Sequence, residues 1–242
     1  MEKKKSKTKE IGINLDTEEM AKAGVHFGHR TSKVHPKMIP YLQGTKNTVH
    51  IINLEKTKEK FLEALNFIED IISQGKTLLL VGTKIQSKKM VEEMAKELNL
   101  PYVSERWLGG TFTNFPIIKK RIEYYKELEK KKDSGDLEKY TKKERIKIDQ
   151  ELERLKKKFE GIKNLEKLPD AVFVLDMKKD YLTAKEARKM NVPVIGLSDT
   201  NVDPTLADYP IPANDDAISS VRYILEKVKE VIAKAKENLP AK

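Results

Sequence analysis

Apolar residues recur along the chain in two alternating patterns, one typical of buried strands and one typical of amphipathic helices. Short, mostly apolar runs predict strands at 48–53, 77–82, 102–105, 171–176, 192–199 and 209–211. Between the first two runs, one helix face is formed by Phe61, Leu65, Ile68 and Ile72. Helices are also expected at 17–23, from Ser87, at 180–190 and from Asp215. Strands that alternate with helices predict an α/β fold of Rossmann or flavodoxin-like type, with a parallel sheet sandwiched by helices.

Residues 117–165 interrupt this alternation. Apolar positions with heptad spacing are Ile148, Leu152, Leu155, Phe159 and Ile162, and they face a shorter stripe of Ile118, Ile122 and Tyr125. The turn sequence DSGD at 133–136 separates the two stripes. We therefore predict an antiparallel coiled-coil hairpin at 117–165, inserted in an α/β body made of 11–116 and 166–242. Residues 1–10 are expected to be a basic disordered tail.

Residues 23–47 follow neither pattern. They are rich in Gly, Pro, His and Lys and lack helical periodicity. We expect an ordered loop with hairpin turns.

The charge of the chain is concentrated in two places. The formal net charge of +10 divides into +3 for residues 1–10, +6 for residues 119–163 and +1 for the rest of the 242 residues. Basic appendages favour a polyanionic partner such as nucleic acid, because each neutralised phosphate releases counterions. A solvated tail and a soluble helical arm are the alternative.

Composition excludes several classes of protein. The absence of cysteine rules out disulfides, thiolate zinc sites and cysteine nucleophiles. No apolar run reaches the roughly 20 residues of a membrane span, and the first ten residues do not resemble a secretory signal. We expect a cytoplasmic protein.

Nucleotide-enzyme motifs are missing from the sequence. There is no G-x-G-x-x-G, no G-x-x-x-x-G-K-[ST] and no G-x-S-x-G. The segment VGTKIQSKK at 81–89 could hold a phosphate at a helix N-terminus, but its single Gly is a weak signal.

Several histidines and carboxylates could bind a metal. His26 and His29 have a spacing that suits a metal, but the favoured interpretation is a packed loop in which the imidazoles satisfy backbone groups. Asp199 follows one strand and Asp215 follows another, so both are expected at the same sheet edge. There, Asp199, Asp215 and His26 could hold zinc or magnesium. Alternatively, Asp199 and Asp203 are turn formers, Asp215 is an N-cap, or a lysine supplies the positive charge.

The segment SERWLGGTFTNF at 104–115 contains the only tryptophan and a Gly pair. One interpretation is structural, with Trp107, Phe112 and Phe115 fixing the base of the hairpin on the body. In the other interpretation, Arg106, Thr111 and Asn114 contact phosphate or sugar.

Four segments together resemble one family. They are AGVHFGHRTSKVHPKMIPYLQG, NTVHIINLEKT, SERWLGGTFTNF and DTNVDPTLADYPIPANDDA, and they resemble the bacterial small-subunit ribosomal protein S2 family from about residue 15 to about residue 235. The resemblance implies an α/β sandwich with a protruding coiled coil, bound to small-subunit rRNA near the head–body junction. It also implies no enzymatic activity and a role in recruiting ribosomal protein S1. Val34 stands where the family often has an aromatic residue, and the lysine-rich start is longer than the family minimum.

Together, these observations predict a structural constituent of the small ribosomal subunit that binds rRNA through phosphate contacts. The expected contacts are Lys3, Lys4, Lys5, Arg30, Lys33, Lys37, Arg106, Thr111 and Asn114. The cation site of Asp199, Asp215 and His26 would face S1, and neither a membrane nor a small-molecule substrate is expected. The alternatives are a nucleotide-binding α/β enzyme with the hairpin as a regulatory arm, and a pure protein–protein scaffold.

Overall fold

The structure is a computed structural model that describes residues 14–237, apart from the side chains of residues 137 and 138. The predicted basic tail therefore lies outside the described residues. The helices are α1 Thr17–Lys22, α2 Leu54–Ser73, α3 Ile85–Glu97, α4 Phe115–Asp133, α5 Lys142–Phe159, α6 Tyr181–Lys189 and α7 Ile218–Glu237. The strands are β1 Phe27–Arg30, β2 Leu42–Lys46, β3 Val49–Ile52, β4 Leu78–Val81, β5 Tyr102–Val103, β6 Ala171–Val174, β7 Val194–Ser198 and β8 Tyr209–Pro212.

The predicted α/β fold is confirmed by a five-stranded parallel sheet with the order β5-β4-β6-β7-β8. Numbered within this sheet, the order is the flavodoxin-like 2-1-3-4-5. The order reverses between β4 and β6, so the crevice beyond the carboxyl ends of these two strands is where such sheets usually bind ligands.

Both faces of this sheet are covered, which explains why its strands are almost entirely apolar. Leu78 and Leu80 belong to one apolar cluster with α2, α3 and α7. Leu79 and Val81 point the other way and belong to a second cluster, as the two-residue alternation of a strand requires. The second cluster also includes side chains of α6 and of the segment that leads into α4.

Helices α4 and α5 occupy the region of the predicted hairpin and pack against each other. Their shared apolar side chains are Ile118, Ile122, Tyr125, Leu128, Leu152, Leu155 and Phe159, all buried. A capping box of Thr141 and Glu144 starts α5, and the Lys132 amine donates to Asp149 across the pair at 2.7 Å. The base of the pair shares its cluster with the parallel sheet. Supercoiling of the two helices, and the independence of body and hairpin, stay predictions.

A second sheet corrects the interpretation of residues 23–47. Strands β1, β3 and β2 form an antiparallel sheet in that order, so this segment is not only a loop, and β3 belongs to a separate sheet from the parallel strands. Asn47 and Thr48 have φ values of 48° and 64°, as a two-residue type I′ hairpin requires. β2 is mostly polar, so the pattern of apolar residues did not predict this strand.

Candidate functional site

Charged side chains converge at the carboxyl ends of the parallel strands. We call this group the strand-end cluster, and its members are His29, Lys84, Asp176, Asp199, Asp215 and Asp216. The strands explain the meeting, because Lys84 follows β4 and Asp176 follows β6, while the three other carboxylates follow β7 and β8. The cluster therefore occupies the sheet's topological switch point and extends toward β8.

Lys84 neutralises one side of the strand-end cluster. Its amine lies 2.8 Å from Asp215 Oδ1, 2.6 Å from Asp216 Oδ1 and 3.3 Å from an Asp176 oxygen. Burial opposes the charge of Lys84, but its hydrogen bonds to Asp215 and Asp216 outweigh burial and raise its pKa. Burial, together with the charges of Asp199 and Asp176, raises the pKa of Asp215 to about 7. The internal lysine expected as one alternative thus holds Asp215.

His29 lies on the other side of the strand-end cluster. Its Nδ1 is 3.1 Å from Asp199 Oδ2, and its Nε2 is 3.4 Å from Asp216 Oδ2. The first pair is close but not aligned as a hydrogen bond, so both buried atoms lack a hydrogen-bond partner; we therefore treat the contact as ionic. The interaction with Asp199, opposed by burial and reinforced by the charges of Asp216 and Asp215, raises the pKa of His29.

The predicted ligand set of Asp199, Asp215 and His26 needs correction. Only Asp199 belongs to the group whose ligand atoms lie within 4.8 Å of one another, and its partners there are His29 and Asp216. Asp215 is held by Lys84, and His26 instead packs its ring on Phe27 at 4.0 Å. Burial and the charge of Lys46 lower the pKa of His26.

Asp215 is also not the N-cap of the last helix, which begins at Ile218. Asn214 Oδ1 accepts hydrogen bonds from the N–H groups of Asp216 and Ala217. This turn leaves the buried Asp215 side chain free to bond with Lys84. The sequence NDD contained the right residue types, but it did not show which carboxylate would point toward which partner.

The turn after β7 has the structure that the sequence predicted for Asp203. Its carboxylate accepts from the Thr205 N–H at 2.9 Å and from the Thr205 hydroxyl at 2.6 Å. Lys37 donates to the same carboxylate at 2.7 Å. Burial opposes ionisation, but the bonds from Lys37 and Thr205 hold the pKa of Asp203 at about 2. Lys37, an expected rRNA contact, is therefore already paired within the protein.

The segment 104–115 is held mainly by internal contacts. The Glu186 carboxylate accepts from the N–H groups of Gly110 at 2.7 Å and Phe112 at 3.0 Å. Phe112 packs edge-to-face on Trp107, with ring centroids 4.9 Å apart. These contacts support the structural interpretation for the aromatic residues. Thr111 is buried and donates its hydroxyl to the Leu108 carbonyl at 2.6 Å.

The other expected rRNA contacts have different environments. Arg30, Lys33, Arg106 and Asn114 are exposed, whereas Lys3, Lys4 and Lys5 lie outside the described residues. Four of the expected rRNA contacts are therefore exposed on the described part of the surface. Their role in rRNA binding stays a prediction.

The segment VGTKIQSKK does not form an open phosphate site. The Thr83 N–H and hydroxyl donate to Asp180 at 3.3 and 2.9 Å, and the Lys84 amine is held by carboxylates. Because a phosphate here would face several buried carboxylates, the electrostatics disfavour a nucleotide. Within residues 14–237, no helix is both long and apolar enough to cross a membrane.

Comparison with known proteins gives one consistent result. The profile of the family described as Ribosomal protein S2 matches residues 20–235. The small ribosomal subunit protein uS2 of Dictyoglomus thermophilum is 45% identical over 219 residues, which cover 90% of this chain and 89% of that protein. Those of Coprothermobacter proteolyticus and Dictyoglomus turgidum are each 43% identical over 90% of this chain, and the matches cover 82% and 89% of those proteins.

Proposed function

The chain belongs to the ribosomal protein S2 family, and from this premise we propose how it binds rRNA and a neighbouring protein. Family membership makes it a structural, non-enzymatic protein of the small ribosomal subunit, located in the cytoplasmic ribosome. Its role in translation is therefore assembly and support. The proposals below concern the surfaces that carry out this role.

The first proposal is that rRNA is bound mainly through phosphate contacts. The observation that carries it is the state of three exposed cations: no ion pair is found for Arg30, Lys33 or Arg106 among the described residues. Many other cations, such as Lys84 and Lys37, are paired within the protein. Unpaired cations bind phosphate without first breaking an internal contact, and the binding releases counterions. The tail lysines Lys3, Lys4 and Lys5, together with Asn114, would add to this surface.

A salt titration tests this proposal. The full chain is mixed with purified small-subunit rRNA, and the dissociation constant is measured from low to moderate ionic strength. We expect the log–log slope to become shallower by about one for Arg106→Gln, which removes one phosphate contact. Lys189→Gln, an equal charge change on α6, serves as the control and should leave the slope unchanged. A flat salt dependence of the unaltered protein would reject phosphate-dominated binding.

The second proposal is that the strand-end cluster helps to dock ribosomal protein S1 through a shared divalent cation. His29, Asp199 and Asp216 fit such an ion, because carboxylate oxygens and one imidazole suit zinc with an open coordination position. Magnesium would keep more waters. His29 Nδ1 and Asp199 Oδ2 face each other, and both are buried without a hydrogen-bond partner. Asp216 remains 54% exposed toward the surface. A side chain of the partner could complete the set from that side.

This second proposal is tested by retention of S1 on purified small subunits. Asp199→Asn combined with Asp216→Asn should release S1, and a chelator should release it from the unaltered subunits. Asp215→Asn is the matched control, because it neutralises a neighbour that Lys84 holds and leaves all three ligands intact. Retention that neither the double substitution nor the chelator reduces would refute the metal bridge.

The hairpin at 117–165 is proposed as a docking arm of the subunit. Its distal part is richly charged, and its described surface residues include basic groups from both helices. The alternative of a regulatory arm on a nucleotide enzyme is less well supported, since Lys84 and its carboxylates fill the crevice that a nucleotide would need.

A further inference from the structure

We infer that the antiparallel sheet of β1, β3 and β2 extends the proposed RNA-binding surface from Arg30 to Lys46 and binds the phosphates of a double-helical RNA through these two residues. This inference rests on the proposed rRNA binding and adds the surface, the new residue Lys46 and the form of RNA. The net charges of residues 1–10, of residues 119–163 and of the rest of the chain do not indicate this surface. Its segment belongs to the rest of the chain, whose net charge is only +1.

The first observation is the absence of acidic residues. Between Glu19 and Glu55 lie 35 residues without a single Asp or Glu, although 38 of the 242 residues in the chain are acidic. The same run contains five Lys or Arg and all four histidines. Carboxylates from outside the run pair with Lys37 and His29. Arg30 and Lys46 on the sheet have no ion pair among the described residues, so the surface that they form attracts polyanions.

The second observation is the register of the sheet. Arg30 and Lys46 both pair with Val49, one from each side. Residues that lie directly opposite one another in a sheet point to the same face. Two cations therefore stand in one row across three strands, about 10 Å apart at their Cα atoms by strand spacing. Among residues 14–237, neither side chain takes part in an ion pair or hydrogen bond.

The third observation is the exposure of the β hairpin formed by β2 and β3. Every residue from 43 to 48 is exposed, so β2 beyond Leu42 is uncovered on both faces. The Thr31 N–H donates to the Thr48 carbonyl at 2.9 Å, which ties the turn after β1 to this hairpin. A strand that buries neither face gains little stability from packing. Residues 43–48 therefore contribute little to the core and are available for binding.

The side chains of residues 43–48 favour binding of a double-helical RNA over a single strand. Residues 43–48 are Gln, Gly, Thr, Lys, Asn and Thr, with no aromatic ring. Proteins that bind single strands stack bases on aromatic side chains, whereas RNA helices are recognised by phosphate and 2′-hydroxyl contacts. Amide and hydroxyl groups beside a lysine suit the second mode. Phe27 on β1 pairs with Ile51, two positions along β3 from Val49. It is 46% exposed, and its ring lies against the His26 ring.

Two measurements test the inference on the full chain. The first is the salt dependence of binding to purified small-subunit rRNA, for which Lys46→Gln should make the log–log slope shallower by about 0.9, the value for one phosphate. Lys189→Gln, again the charge-matched control, should not change the slope. Equal slopes for the two variants would overturn the role of Lys46.

The second measurement uses the absence of cysteine. Gln43→Cys provides a single thiol beside the hairpin, to which iron–EDTA is tethered before reconstitution into small subunits; Lys189→Cys is the control. We expect hydroxyl-radical cleavage from position 43 within rRNA helices that position 189 does not cleave. Assembled subunits without cleavage from position 43, or with cleavage only in single strands, would overturn the inference and leave the proposed function standing. Failure of the unaltered chain to bind rRNA would refute both.

Discussion

Lys84→Met is expected to destabilise the protein strongly at neutral and alkaline pH. The substitution keeps the aliphatic length but leaves Asp176 and Asp215, both buried, without their cation. Removing one partner of a buried ion pair costs about 3–5 kcal/mol, because the remaining charge is uncompensated. The contact with Asp216 adds little, since that carboxylate is half exposed. The expected loss is a large share of the 5–15 kcal/mol that holds a typical domain together.

The loss should depend on pH with a defined sign. The pKa of Asp215 is raised from 3.8 to about 7, so its contribution to stability is fully present below about pH 4 and is lost as the pH rises through 7. The bonds from Lys84 lower this pKa, and without them it rises further. The difference between variant and parent should therefore be smaller at pH 5 than at pH 8, while the loss of the cation beside Asp176 is common to both pH values.

Urea unfolding measures both effects. The fluorescence of Trp107, the only tryptophan and a buried one, reports unfolding at pH 5 and pH 8 in the presence of a chelator. Lys88→Met, in the first turn of the helix that follows Lys84, is the matched control. Lys88 pairs with Glu105 at a partly exposed position, where a salt bridge is worth about 0–1 kcal/mol. The reasoning fails if Lys84→Met costs no more than Lys88→Met at pH 8, or if its cost is the same at both pH values.

Three further outcomes are expected from the packing. Gly28→Ala places a methyl group against the Thr200 methyl carbon and should lower the free energy of unfolding in urea by about 1–3 kcal/mol. Gly44→Ala is the control, because its methyl group meets nothing within 4 Å, and it should change stability by under about 0.5 kcal/mol. Equal losses for the two variants would contradict the close approach at Gly28. Glu186→Ala leaves loop N–H groups unsatisfied and should cost about 1–3 kcal/mol and weaken rRNA binding, while Glu186→Gln keeps an acceptor and should be milder in both assays. Replacing 130–150 by a Gly/Ser linker should leave the circular dichroism of the body intact and reduce incorporation into subunits; loss of the body's signal would show that the arm belongs to the core.

The sequence alone was sufficient for the parallel sheet and its helices. A strand buried on both faces is apolar along its length, so a run such as 171–174 can be recognised without knowing which strands lie beside it. The capping box at Thr141 is local as well, because both of its hydrogen bonds join residues three apart. Family membership was likewise evident from long, ordered motifs, and the profile match confirms it.

Only the tertiary structure decided which charged groups meet. Lys84 and Asp215 are 131 residues apart in the chain, and no periodicity shows whether a carboxylate after a strand will face a lysine, a histidine or solvent. The same limit explains why His29 rather than His26 lies beside Asp199. The backbone N–H of His29 donates to the Thr200 hydroxyl, and this bond positions the His29 ring. This limit also explains the row of Arg30 and Lys46, because register between strands is set by pairing across the sheet. Local patterns determine which side of an element is buried, whereas electrostatic partners depend on distances that only the folded chain defines.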